Sequence, residues 1–205
     1  MRLPGVLVEL VDLDPEGGRD AWAQWYDAAV LVPRARLDGV IAARRGVRAT
    51  GSVQNLVVYD LADVTAPLAW PEPPAAPVPV ARHEALLYRQ ILSTVEGPYR
   101  PPGAEVLHGA FFAADPADHD EFNAWYDTEH VLFVDVIDGY LNCRRFQSLA
   151  DPSQFLALYD VTTLDAATSE EVARANQSPW SDRIRAKVAT YRERRLFTIA
   201  REETS

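Results

Sequence analysis

Apolar positions along the chain change their period several times, and each change marks an element. Val6-Leu7-Val8-Glu9-Leu10-Val11 is a short, mostly apolar run that reads as a strand, and residues 106–113 read the same way. Asp115-Pro116 then offers an N-cap followed by proline at the first helical position, with Asp118 placed to favour a helix N-terminus. Phe122, Trp125, Tyr126, Phe133, Val134 and Ile137 follow at helical spacing, which predicts an amphipathic helix over residues 116–136, stopped by Asp138-Gly139. Strands are predicted over 140–147 and 155–162, separated by a turn at Asp151-Pro152. Residues 168–190 read as helical with a break at Ser178-Pro179, and 194–201 as a closing strand. The order is β-α-β-β-α-β, the ferredoxin-like pattern.

The same pattern occurs twice. Trp25-Tyr26-Asp27 recurs as Trp125-Tyr126-Asp127, Asp38-Gly39 as Asp138-Gly139, Arg44-Arg45 as Arg144-Arg145 and Tyr59-Asp60 as Tyr159-Asp160, all at an offset of 100 residues without a gap. Four matches in one register predict a duplicated unit. The first copy departs after Leu61: six prolines between Pro67 and Pro79 forbid a regular helix, so its second helix is expected to be lost or shortened. Its fourth strand is expected over 84–92, and 96–103 reads as a linker. The predicted domains are therefore residues 1–95, degenerate with a Pro-rich insert at 65–80, and residues 104–205. A four-stranded sheet covered by helices on one face leaves its other face apolar and its edges unpaired. The fold class expected is α+β, with two tandem ferredoxin-like repeats forming an intramolecular α/β barrel.

Composition narrows the chemistry. The chain has 205 residues, 48% hydrophobic and 24% charged, with a net charge of −10. That balance argues against a phosphate-binding surface and so against nucleic acid as a partner. No run approaches the roughly 18 apolar residues of a membrane span, and Met1 leads directly into a strand with no signal-peptide core, so a cytoplasmic protein is expected. Cys143 is the only cysteine, which excludes an intramolecular disulfide, CxxC redox motifs and cysteine-built zinc sites. Lys187 is the only lysine, a bias read as the habit of a GC-rich bacterial genome.

The copies diverge at the end of the first helix. Copy two has Glu129-His130 where copy one has Ala29-Val30, while the Trp-Tyr-Asp triplet survives in both. A structural role common to both halves needs no histidine in one of them, so chemistry is expected in the second half. The stretch Asn123 to His130, followed by Gly139-Tyr140 and Arg144-Arg145-Phe146, resembles the helix-one signature of dimeric α/β-barrel proteins of the EthD-like kind. Asn176 to Trp180 and Arg194 to Phe197 also resemble that group. The resemblance implies the barrel fold and a small-molecule cavity. The superfamily includes cofactor-free isomerases, lyases, polyketide cyclases and dehydratases, quinone-forming monooxygenases, haem proteins and members with no known activity.

Among individual residues, His130 is the foremost candidate. By α-helical spacing it lies at i+3 from Asp127 and i+4 from Tyr126, and an imidazole beside a carboxylate and a phenol suits proton transfer near neutrality. The competing reading is an exposed helix-terminal histidine favoured by the helix dipole. Asp127, matched by Asp27, can orient His130 or bond an arginine such as Arg144. Glu129 reads as solvated. His108, on a strand, can face the helix or the opposite side, either as a hydrogen-bonded core residue or as a partner of His130. His119 and His83 read as surface residues. Trp125, Phe112 and Tyr159 are expected to wall a pocket, with His108 or Arg144 polarising a substrate oxygen. Spacings such as HxxxH and HExxH are absent, so no metal site is expected; haem ligated by His130 or His108 is the cofactor alternative.

These readings converge on a cofactor-independent acid–base enzyme, a cyclase, dehydratase or isomerase of secondary metabolism, acting on a small aromatic or polyketide-like carbonyl compound. One alternative is a non-catalytic protein that binds a small hydrophobic metabolite; another is a cofactor-free monooxygenase. A homodimer is compatible with either half.

Overall fold

The strand predicted at the start of the chain is β1 (Gly5–Leu13), in a computed structural model that describes residues 3–14, 18–49, 54–174, 177–188 and 192–205. After it, α1 (Arg19–Tyr26) runs through a wider π turn (Asp27–Leu31) into α2 (Val32–Ala35), and β2 (Val40–Arg48) and β3 (Gln54–Leu61) follow. Where a second helix is missing, a single 3-10 turn (Ala66–Ala69) leads into the extended proline-rich segment and then β4 (Val80–Ser93). The chain next forms β5 (Val106–Ala113), a 3-10 turn (Pro116–Asp118), α3 (His119–Trp125), a second π turn (Tyr126–His130) and α4 (Val131–Asp135). It ends with β6 (Tyr140–Ser148), β7 (Gln154–Val161), three short helices, α5 (Leu164–Ala167), α6 (Glu170–Arg174) and α7 (Pro179–Lys187), and β8 (Arg192–Thr204).

Contacts divide the chain into two units, residues 1–89 with 197–205 and residues 90–196. In the first unit β1 pairs antiparallel with β3 and β4, and β2 with β3 and β8. In the second, β7 pairs antiparallel with β5 and β6. Both units thus show the ferredoxin-like order, β4-β1-β3-β2 and β8-β5-β7-β6. Strands β4 and β8 belong to both ladders, and the hydrogen-bonded order of the eight strands returns to its start, the order of a closed barrel.

Local chemistry explains the boundaries. Asp115 caps the predicted helix start by accepting from the Ala117 amide, and Pro116 follows at the first position. Gly39 and Gly139 take φ of +86° and +88° after their helices, a conformation that admits glycine and few other residues. Each glycine carbonyl accepts from the residue after the second central strand, Ala62 or Thr162, at 2.8 Å. Ser178 and Pro179 open α7 as its N-cap and first residue, at the break the sequence predicted. The single helix expected over 116–136 is instead three segments, because the π turn interrupts it. The expected linker at 96–103 has no helix or strand, yet Tyr99 is buried and donates to Asp160 at 2.8 Å.

Each unit has its own core between helices and sheet. In the first it gathers Leu7, Trp22, Tyr26, Leu31 and Val57; in the second, Phe112, Phe122, Trp125, Tyr126 and Phe155. Among the described residues no helix is long and apolar enough to cross a membrane.

Candidate active site in the second unit

The π turn decides where His130 points. An α-helix turns about 100° per residue, so positions five apart lie about 140° apart around it and their side chains do not meet. In this turn the Val131 amide donates to the Tyr126 carbonyl, five residues back, and the wider loop returns His130 to the face of Trp125. Their rings stack with centroids 4.8 Å apart and 25° between planes, and the Tyr126 ring meets the imidazole edge-on at 4.7 Å. His130 is 7% exposed, so the exposed helix-terminal reading is overturned.

Strand alternation brings the remaining groups to the same face. On β7, Tyr159 points at the helix, its hydroxyl in a short hydrogen bond with that of Tyr126 and 3.3 Å from His130 Nε2. On β5, the His108 ring lies tilted against that of Tyr159 at 4.9 Å, and its Nδ1 is hydrogen-bonded with the Tyr140 hydroxyl at 2.8 Å. Burial pushes the Tyr159 phenol well above its usual range, with Cys143 and Tyr126 adding to the effect, so it stands as a neutral donor. Cys143 lies opposite Tyr159 on β6, and burial likewise pushes its thiol up to about 12. It is a small packing residue.

These groups form the polar side of a cavity of about 330 Å³, whose apolar walls include Phe112, Trp125, Val134, Ile137, Ile184 and Val188. That is the low end of the roughly 300–1,000 Å³ found for small-molecule pockets. Arg185 lies in the lining, where it pairs with Asp182.

Of the residues singled out in the sequence, His130, Tyr126, His108, Trp125, Phe112 and Tyr159 are brought together here. Asp127 is not. Its carboxylate pairs with Arg145, which also donates to Asn123 Oδ1 at 2.8 Å. In the first unit Arg45 holds Asp27 in the same way, through two bonds of 2.7 and 2.8 Å. The partner is Arg145 rather than Arg144 because neighbouring strand residues face opposite ways. Arg144 packs on the other face, its guanidinium 3.4 Å from the Tyr99 ring centre, away from the cavity lining.

Glu129 is not merely solvated: it accepts from Ser178 Oγ at 2.5 Å, Trp125 Nε1 at 3.2 Å and Ser181 Oγ at 3.5 Å, tying the π turn to the start of α7. Its replacement by Ala29 in the first copy was the available signal. His119 is half-buried, with Nε2 3.1 Å from the Ala114 carbonyl and its ring edge-on to Phe155, whereas His83 is exposed as expected. Among the described residues no group of three or more His, Cys, Asp and Glu side chains could hold a metal ion.

No family model matches the chain, and no curated protein matches its sequence. Solved structures do share its fold. A proposed monooxygenase of Fusobacterium nucleatum superposes with a TM-score of 0.70 at 8% identity, over 100% of this chain and 95% of the other. An anthrone oxidase-like protein gives 0.66 at 10% identity, over 98% and 93%. A haem-degrading enzyme of Listeria monocytogenes gives 0.51 at 11% identity, over 95% and 98%. At such identities the likeness is one of fold, and the chain is an α+β, ferredoxin-like protein with the strand order of an eight-stranded barrel.

Proposed function

We propose that the second unit is the catalytic half of a small-molecule enzyme that moves a proton on an aromatic or polyketide-like carbonyl compound. The observation that carries this reading is the cluster of His130, Tyr126, Tyr159, His108 and Tyr140 on one side of an otherwise apolar cavity. A ring-activated C–H bond presented there loses its proton to an imidazole, and the electron pair moves onto the carbonyl oxygen. A neutral phenol donating to that oxygen stabilises the enolate, and return of the proton at another atom gives the isomerised or dehydration-ready product. His130 acts as the base in this scheme, held by Trp125 and Tyr126; Asp127 and Arg144 take no part. The duplicated, EthD-like reading of the chain belongs to the same proposal, supported by matching glycine turns and Arg–Asp pairs 100 residues apart and by π turns 99 residues apart.

A second reading starts from the same enolate. Two of the structural relatives carry names of oxygen-using enzymes, a monooxygenase and an anthrone oxidase-like protein. With dioxygen as co-reactant, the activated CH2 becomes a carbonyl group and the second oxygen atom leaves as water, without a cofactor. Haem, suggested by the haem-degrading relative, is not needed for either reading. Among the described lining residues, Arg185 is the one arginine or lysine available to meet a propionate.

The test is exchange of acidic C–H for solvent deuterium, followed by NMR on anthrone and other ring-activated ketones, with oxygen uptake recorded in parallel. The folded wild-type protein is expected to accelerate exchange, and His130→Gln to lower the rate by about 10²–10⁴-fold, the usual worth of a positioned base. Unchanged exchange in His130→Gln sinks the assignment. Saturable binding without exchange in the wild type replaces the enzyme by a metabolite-binding protein, and stoichiometric oxygen uptake selects the second reading.

A further inference from the structure

The first unit keeps a pocket of its own, and its chemistry differs from that of the second. It has a volume of about 210 Å³, with Trp22, Trp25, Pro73 and Pro74 among its walls and Glu9 and His83 at its polar end. Glu9 takes the place that Gly109 holds in the second copy, and is 3% exposed. Its Oε1 accepts from Arg34 Nη1 at 2.8 Å, and its Oε2 accepts from the Tyr26 hydroxyl. Arg34 also lies near two rings outside the lining, its guanidinium 5.7 Å from the Tyr59 ring centre and 5.1 Å from that of Trp70. The carboxylate and guanidinium therefore cancel, and Oε2 retains one loosely filled direction, where His83 Nε2 stands at 3.6 Å, beyond hydrogen-bond length.

The residues around that direction favour a positive charge. Trp22, Trp25 and Tyr26 present aromatic rings to the pocket, and such rings attract cations. The half-exposed His83 imidazole reports the same preference: Glu9 raises its pKa, against its own burial and the repulsion of Arg34. Burial is the largest single effect on Glu9 and raises its pKa, yet His83, Tyr26 and Arg34 together outweigh it and hold the carboxyl below its usual range. The other charged neighbours of His83, Arg82 and Glu84 on its own strand, pair with each other at 2.7 Å, and Arg82 also reaches Asp12 on β1 at 3.8 Å.

We infer that this pocket is a second binding site, for a small primary amine on an aromatic or apolar body. The ammonium donates to Glu9 Oε2 in place of the His83 imidazolium, and the body lies between the Trp22 and Trp25 rings and the Pro73-Pro74 segment. Because ligand and protonated His83 compete for one carboxylate oxygen, the amine binds more tightly as His83 loses its proton. The inference uses only first-unit residues and stands apart from the reaction proposed for the second.

Calorimetric titration with phenethylamine, 2-phenylethanol and 3-phenylpropionate, three probes of one shape and different charge, tests it in the full chain. The amine is expected to saturate, with the alcohol roughly tenfold weaker for want of a charge-assisted bond and the acid weaker still. Indole N–H signals of Trp22 and Trp25 should shift on binding while those of Trp125 and Trp180 stay. From about pH 5.5 to about 8.5 the amine's affinity should rise, and in His83→Gln this dependence should flatten while binding persists. Glu9→Gln should abolish the preference for amine over alcohol; should that variant not fold, the three-probe comparison in the unmodified protein decides alone. Equal binding of amine and alcohol, tighter binding of the acid, absence of saturation or shifts confined to Trp125 and Trp180 each overturn the assignment.

Discussion

Cys143 and Tyr159 face each other across the β6–β7 pairing, and burial holds both in their protonated forms. A free thiol with pKa near 8.5 is substantially ionised at pH 8, whereas one at about 12 presents roughly one thiolate in ten thousand. Iodoacetamide at pH 8 is therefore expected to label Cys143 at least a hundredfold more slowly in the native protein than in denaturant; equal rates would show that the strand pair opens readily. His130 was legible because a repeat exposes any substitution confined to one copy, and Val30 stands where the imidazole does. What it touches was not legible. Alpha-helical spacing pairs it with Asp127, but the π turn gives it Trp125 and leaves Asp127 to Arg145. Tyr140, which holds His108, stood out only as the first residue of a predicted strand, since its contact depends on strand register across the sheet.

At the scale of elements, the cavity owes one wall to α7, whose Ile184 joins the apolar core and whose polar residues also bind the preceding helices. Glu129 binds Ser178 and Ser181 at its start, and Asp118 and Glu121 bind Lys187 and Arg183 along it. The pairs with Arg183 and Lys187 are solvent-screened and contribute little. The Glu129 contacts are partly buried and include the indole of a cavity residue, so Glu129→Ala is expected to cost about 1–2 kcal/mol and to weaken ligand binding severalfold. Hydrogen exchange should quicken in residues 179–187 before it does in β5 to β7, and uniform protection across the unit would show the clamp to be idle. The helical regions themselves were predictable: Asp115-Pro116 marks the start of the first, and Ser178-Pro179 the break in the second. The interruption was not, because no residue type demands a π turn and the apolar spacing fits an unbroken helix nearly as well.

At the scale of the molecule, each unit shows the ferredoxin-like order, and the first is completed by residues from the end of the chain. The clue lay in length. Strands β4 and β8 have 14 and 13 residues, against 8 or 9 for the others, and each continues past its own unit's ladder. Residues 197–204 pair with Ala42–Arg48, and Phe197 packs with no exposed surface. A chain ending at Leu196 is expected to lose amide protection along β2 while β7 keeps its own, as measured by deuterium exchange; unchanged protection of β2 would show that the pairing adds nothing to its stability.

The two π turns have a bearing on how such a molecule changes over generations. Each accommodates one residue more than a regular helix needs, at places that differ by one position in the 100-residue register. Removing one residue between Tyr126 and His130 brings the histidine from five positions to four after Trp125, the spacing that shares a face in an ordinary α-helix. The imidazole then keeps its indole neighbour, and the segments on either side keep their phase. A three-nucleotide deletion or insertion at this point is therefore a change the helix can absorb over generations without turning His130 away from Trp125.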